Sequence, residues 1–389
     1  MSNRDWHTDA FPELRPGPPW VMQEMIATQP AIVHALLSNP PPGTSQAAEA
    51  IAAALAHHHP VIVCGCGTSE HAAQAIAALL AAAVGPERSA LVQARPALTA
   101  ALDPAPGMCL AISHDGETRA STLALLAART FGAHTIAITH QPHGSVAHAA
   151  EHVLLTPRHD ESWCHTVAYT SALAAGAALA SSLGDSAPRR FRANPAAARE
   201  LLERATTLEK VAAIADRLTH QRVVLCAGAG TDHTTARELA LKIAEGARLP
   251  TIALELETVL HGQLAAHEPT DALILIAITD HPESERLARR AAQVARAATA
   301  IGLPVAGVLS RAFDQLLDGD LTPAGRLITE LVDPDLVDRR LAGLLAGAGA
   351  LQTLTLELAH ARRINPDLIR REQAPYRDAA REAESSAEW

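Results

Sequence analysis

The stretch Val61-Ile-Val-Cys-Gly-Cys-Gly-Thr68 recurs 163 positions later as Val224-Leu-Cys-Ala-Gly-Ala-Gly-Thr231. Each copy joins a strand-type apolar run to a glycine turn and a hydroxyl residue that opens a helix-period segment. Further on, Ala111-Ile112-Ser113 is answered by Ala277-Ile278-Thr279, and a helix ending at Gly132 by one ending at Gly302. The offsets drift to 166 and 170, as loop insertions between repeats require. A chain duplicated in this way is constrained to two like units. Strands alternate with helices, which predicts an α/β fold in which each unit is a mostly parallel sheet flanked by helices on both faces. In such sheets ligands bind at the carboxyl ends of the strands, where both glycine turns fall.

The chain has 389 residues, of which 48% are hydrophobic but only 3% aromatic. Ala, Leu, Val and Ile must therefore fill the core. The formal net charge is −10. Lys and Arg are dispersed, apart from small clusters such as Arg189-Arg190 and Arg370-Arg371, which argues against nucleic acid as a partner. No apolar run is read as reaching the ~18–20 residues of a membrane span. Met1 to Pro19 is polar and Pro-rich with no signal-peptide core, so the expected location is the cytoplasm. Cys64, Cys66, Cys109 and Cys226, among five cysteines in all, sit in or beside apolar runs and read as buried free thiols. Cys64-Gly65-Cys66 lacks a second ligand pair at zinc spacing, and the consecutive His57, His58 and His59 point in different directions, so no metal is expected.

Along the chain, helices are expected over Trp20 to Leu37, Ala47 to His58, His71 to Val84, Thr118 to Arg129, Thr166 to Leu183 and Glu200 to Leu218. Strands are expected at Val61–Cys64, Met108–Ile112, Thr135–Ile138 and His152–Leu155. The boundaries that follow are 1–45 for a leader and N-terminal helix, 46–198 for the first unit, and 199–389 for the second unit with a C-terminal tail. Between Ile112 and the helix starting near Thr118 lies Ser113-His114-Asp115-Gly116-Glu117-Thr118. Hydroxyls at a helix N-terminus suit an anionic group, or simply cap the helix.

The sequence resembles tandem sugar isomerase (SIS) domains, and in particular the isomerase half of glutamine–fructose-6-phosphate aminotransferases. The resemblance rests on Cys66-Gly67-Thr68-Ser69, the S-x-D-G-E-T turn, and the duplication. It also rests on Met22-Gln23-Glu24-Met25-Ile26 with Gln29-Pro30, on Glu238-x-x-x-Lys242-x-x-Glu245, on Leu260-His261-Gly262, and on Asn365-Pro366-Asp367. These occur in family order over nearly the whole chain, with no glutaminase domain before them. The resemblance implies a homodimer, no cofactor, and a small sugar substrate.

By family position Glu245 is the base that shuttles a proton between C1 and C2, and a carboxylate beside a cleft has the chemistry for it. Glu238, Lys242 and Glu245 share one helix face at i, i+4 and i+7, so Lys242 reads either as part of the catalytic group or as an orienting ion-pair partner. His261 is implied as the ring-opening group, reaching into the neighbouring subunit's site, with Glu257 four residues before it. Substrate binding is implied for Cys66, Gly67, Thr68, Ser69, Ser113, His114, Asp115 and Thr118. It is implied also for Glu161, Trp163 and His165, in a stretch resembling the family's E-x-x-x-A-x-T loop. Two departures stand out. Asp115 occupies an anion turn where the family has a serine, and a carboxylate there repels phosphate. In the tail, Ala374 stands where the family has a lysine, leaving Arg370 and Arg371 as the positive charges.

The expected activity is aldose–ketose isomerisation of a hexose bearing phosphate or another group, such as sulfonate, at C6, through a cis-enediol. An amino-sugar or fructosamine deaminase or deglycase, and a non-catalytic sugar-phosphate sensor, are the alternatives.

Overall fold

A computed structural model describes residues 14–184 and 191–385. Most of the polar leader lies outside the described residues, as does the Arg189-Arg190 pair. Among the described residues, ten strands form two five-stranded sheets. The first contains β1 (Val61–Gly65), β2 (Val92–Pro96), β3 (Met108–Ile112), β4 (His134–Thr139) and β5 (His152–Leu155), in the order β2-β1-β3-β4-β5. The second contains β6 (Val224–Gly228), β7 (Thr251–Glu255), β8 (Ala272–Ala277), β9 (Val305–Ser310) and β10 (Gly325–Thr329), in the order β10-β9-β8-β6-β7. These are the same topology read from opposite edges.

Every strand pair is parallel, and equivalent residues hold equivalent registers: Val61 pairs with Met108 in the first sheet and Val224 with Ala272 in the second. The inner strands β1, β3, β6 and β8 are buried along their whole length, as strands covered on both faces must be. The duplication read from the sequence is therefore a duplicated fold. In each copy the chain reverses strand order between its first and third strands, and that switch point opens a crevice at the strands' carboxyl ends.

The two halves pack through helices Thr68–Val84 and Thr231–Lys242, with Arg339–Ala361 as a central spine. Small residues let helices pack closely within each half, in a core nearly without aromatics. A Cβ on Gly347 would lie 2.8 Å from Thr235 Cγ2, and one on Gly176 would enter the Ile76 side chain. The spine corrects one expectation. Among the described residues this helix is long and apolar enough to cross a membrane, but the window that qualifies is 89% buried within the protein. A second correction concerns the expected helix Glu200–Leu218. It is two helices, Pro195–Ala205 and Val211–Leu218, separated by a turn in which Lys210 takes a left-handed φ of +67°. The first starts earlier than expected because Asn194 caps it, Oδ1 accepting from the Ala197 N–H at 3.0 Å.

Candidate active site

The turn after β1 is fixed by crowding. A Cβ at Gly65 would strike the Ser69 backbone, and Gly67 adopts φ +57°. The second copy repeats this at Gly228 and Gly230. The turn sets Thr68 and Ser69 at the start of a helix, facing the crevice at the first sheet's switch point. Cys66 departs from the expected burial. It is exposed and lines the crevice, while Cys64, Cys109, Cys164 and Cys226 are buried thiols. It lies beyond the strand end, where the glycine turn carries its side chain out of the core.

The turn after β3 is occupied by its own carboxylate. Asp115 Oδ1 lies 2.8 Å from Ser113 Oγ and 3.2 Å from Thr118 Oγ1, and accepts the Glu117 N–H at 3.2 Å. Ser113 Oγ is also 2.8 Å from Thr118 Oγ1. The donors that the sequence offers to an external anion thus point at Asp115. Ser113 is buried beneath it and does not line the crevice.

Behind this turn four imidazoles pack together. The His114 ring stacks on His140 at 5.6 Å and on His159 at 5.4 Å, and meets His165 edge-on at 5.8 Å. His114 Nε2 accepts the Asp160 backbone N–H at 2.8 Å, which leaves its proton on Nδ1. Burial, helped by the neighbouring imidazoles, holds His114 down to about 3, so it is neutral near pH 7. Asp160 is fully enclosed and accepts the N–H groups of Thr166 at 2.6 Å and Ala168 at 3.0 Å. Burial pushes its carboxyl up, but the His165 side chain and those amides outweigh it and hold it below the ordinary range.

The second half supplies a carboxylate and its buried partners. Helix Thr231–Lys242 runs on into a π-turn, Ile243–Ala247, that carries Glu245 into the crevice of the first half. The wider turn is held from outside. Gly246 lets the backbone approach Thr355 and Cys164, and Cys164 Sγ lies 3.9 Å from the Lys242 carbonyl. Such π-turns recur at functional sites. Lys242 is fully buried, with Nζ 2.5 Å from Glu245 Oε2 and 3.8 Å from Glu238 Oε1. Burial works against its charge, yet Glu245 and Glu238 prevail and raise its pKa. Glu238 in turn meets His71 Nδ1 at 2.6 Å and accepts from Thr68 Oγ1 at 3.2 Å.

The tail closes the crevice. Asp367 accepts the N–H groups of Val21 at 2.9 Å and Met22 at 2.7 Å, capping the N-terminal helix Val21–Ser38 from the far end of the chain. Its carbonyl accepts the Trp163 N–H at 2.9 Å. The Arg371 guanidinium lies 4.5 Å over the Trp163 ring, and helix Ala374–Ser385 adds Arg377 and Arg381 to the wall.

Of the residues read from the sequence, Cys66, Gly67, Thr68, Ser69, His114, Asp115, Thr118, Trp163, His165, Arg371 and Glu245 line one crevice of about 760 Å³. Five do not. Ser113 and Lys242 lie behind it, and Glu161 is exposed and paired with Arg158. Arg370 turns away onto the Tyr376 ring at 4.0 Å. His261 lies on an exposed turn, 2.9 Å from Glu257, which also binds Arg290. Sequence reasoning missed Gln141, His159, Asp160, Arg377 and Arg381. The first three follow the ends of β4 and β5, where a parallel sheet presents its site residues.

The second switch point opens a larger crevice, about 1230 Å³. Its corner is filled by Asp232, whose carboxylate accepts from Ile278 N at 2.9 Å, Thr279 N at 3.1 Å and Thr279 Oγ1 at 2.7 Å. Two of its rim arginines are paired, Arg192 with Asp335 and Arg339 with Asp280. Asp280, Glu283, Asp335 and Asp338 also line it.

Residues 54–182 match the SIS domain. Curated proteins give no match by sequence. Among solved structures, the chain is similar to the C-terminal domain of glucosamine-fructose-6-phosphate aminotransferase from Francisella tularensis, at 17% identity and a TM-score of 0.75, covering 90% of this chain and 98% of that one. It is also similar to tagatose-6-phosphate ketose/aldose isomerase from Escherichia coli, at 19% identity and a TM-score of 0.69, covering 93% and 98%. Glucosamine-6-phosphate deaminase from Thermotoga maritima shares the fold at 16% identity and a TM-score of 0.59, covering 89% and 96%. At these identities the likeness is one of fold.

Proposed function

We propose that this chain, two SIS-type domains in tandem, is an aldose–ketose isomerase acting on a hexose substituted at C6. The observation that carries the reading is the Glu245 carboxylate, delivered by the second half into the first half's switch-point crevice. Glu245 takes the C2 proton of the open-chain aldose and gives it to C1, while the C2 hydroxyl proton passes to O1, so that the cis-enediol between these transfers collapses to the ketose. Lys242 fixes the carboxylate's position, and the N–H and hydroxyl groups around Thr68 and Ser69 bind sugar oxygens.

Ring opening needs a second proton carrier. His261 is 68% exposed and hydrogen-bonded to Glu257. We assign it to the crevice of a second copy in a homodimer, where Glu257 would orient the imidazole.

Release of an amine is the second reading. The exposed Asp115 carboxylate at the crevice suits a protonated amino group better than a phosphate. Incubation with C6-substituted aldoses and amino sugars in D2O separates the two. Deuterium entering C2 without ammonia supports isomerisation, ammonia supports deamination, and neither outcome with any sugar excludes both.

A further inference from the structure

We propose that the crevice holds the negative group of its ligand on Arg377 and Arg381 of the C-terminal helix, beside Arg371, and not in the turn after β3. The inference deepens the sugar-site reading of this crevice and rests on it. The ligand class it names is an anionic monosaccharide, with a carboxylate, sulfonate or phosphate as the charged group.

Three observations converge. The turn that would receive an anion is internally satisfied, because Ser113, Thr118 and the Glu117 N–H all meet Asp115 Oδ1. A ligand anion there would find its donors taken and a carboxylate in its place. The charged groups lining the crevice are also sorted by element. Asp115 and Asp160 come from the first half's loops and Glu245 from the π-turn, whereas Arg371, Arg377 and Arg381 all come from the tail. Finally, the tail arginines are arranged to act together. Arg377 and Arg381 are four residues apart on one helix, which puts them on one face. Arg371 is steadied over Trp163, itself a lining residue. Arg381 pairs with Asp378 at 3.8 Å, both side chains more than 60% exposed. Such a pair gives way readily to a better acceptor.

Among the described residues lining the crevice, these arginines are the only guanidinium or ammonium groups. Lys242 is enclosed behind Glu245 and committed to two carboxylates, and the His114 imidazole is neutral. Guanidinium groups bind carboxylate, sulfonate and phosphate oxygens through paired N–H donors, so the tail alone can recognise all three.

The test is calorimetric binding of glucose 6-phosphate, glucuronate, 6-sulfoquinovose and neutral glucose to the full chain. Wild type, Arg377→Ala/Arg381→Ala, Arg377→Lys/Arg381→Lys and Asp115→Ser are compared at two salt concentrations, with thermal melts to verify folding. The alanine pair is expected to weaken the best anionic probe by about ten-fold or more and to flatten its salt dependence, leaving glucose unchanged. The lysine pair is expected to restore part of the affinity. In Asp115→Ser the freed turn gives phosphate a second place to dock, so its dependence on the two arginines should fall. The proposal is overturned if the folded alanine pair binds the anions as wild type does. It is equally overturned if no anionic probe binds wild type more tightly than glucose. Binding is read here without turnover, so failure of the isomerase reading and failure of this subsite are separate results.

Discussion

Lys242 Nζ lies 2.5 Å from Glu245 Oε2 and 3.8 Å from Glu238 Oε1, so one enclosed cation serves a buried carboxylate and the crevice carboxylate at once. Removing it leaves Glu238 buried with only His71 and Thr68 as partners. Lys242→Met is expected to cost about 3–5 kcal/mol, because breaking a buried pair strands its partner charge. Urea unfolding checks this, and a loss under 1 kcal/mol would mean that the lysine is not what compensates Glu238.

Asp367 joins the two ends of the fold. Asp367→Ala removes the acceptor for the Val21 and Met22 N–H groups and loosens the segment that holds Trp163. A loss of about 1–3 kcal/mol is expected from the uncapped helix and its unsatisfied amides. Limited proteolysis should cut the tail faster in this variant than in wild type.

His114 sets a pH slope. Unfolded, its imidazole takes a proton near 6.5, whereas in the fold it holds out to about 3. The unfolded state therefore binds the extra proton in this window, and the contribution to stability, full above 6.5, is lost as pH falls toward 3. The loss is about 1.4 kcal/mol per pH unit at most. His114→Gln keeps an acceptor for the Asp160 N–H and should lose the slope. NMR titration of the wild-type ring should find it neutral at pH 5.

Asp232 works in the opposite sense. Burial pushes its carboxyl up to about 6, against the pull of Thr279 and two backbone amides, from an ordinary 3.8. The folded state keeps the proton longer, so this contribution is full below 3.8 and is lost as pH rises through about 6. Asp232→Asn should gain on wild type between pH 4 and 7 by on the order of 3 kcal/mol. Denaturation midpoints across that range measure the difference.

The duplication was legible because strand, glycine turn and hydroxyl must recur together to rebuild a switch point, and Val61–Thr68 and Val224–Thr231 do so. Most of the crevice was legible for the same reason, since it grows from strand ends. Three features were not. The π-turn at Ile243–Ala247 that carries Glu245 into the crevice packs against Cys164 and Thr355 from distant segments, which no local pattern reveals. The imidazole stack around His114 joins residues from three loops, which no local pattern relates. Arg377 and Arg381 carry no motif, and they join the crevice wall in a tail that Asp367 ties to Trp163. Asp115 was recognised as a mismatch to phosphate, but only its bonds to Ser113, Glu117 and Thr118 reveal that it fills the turn itself.

The most direct test of the account is hydrogen exchange at C2 in Glu245→Gln. With a C6-substituted hexose that wild type converts, in D2O, proton NMR should follow loss of the C2–H signal with wild type. With Glu245→Gln, exchange should fall by at least a thousand-fold while calorimetry still detects the sugar bound. Exchange within ten-fold of wild type in that variant would contradict the assignment of Glu245 as the base.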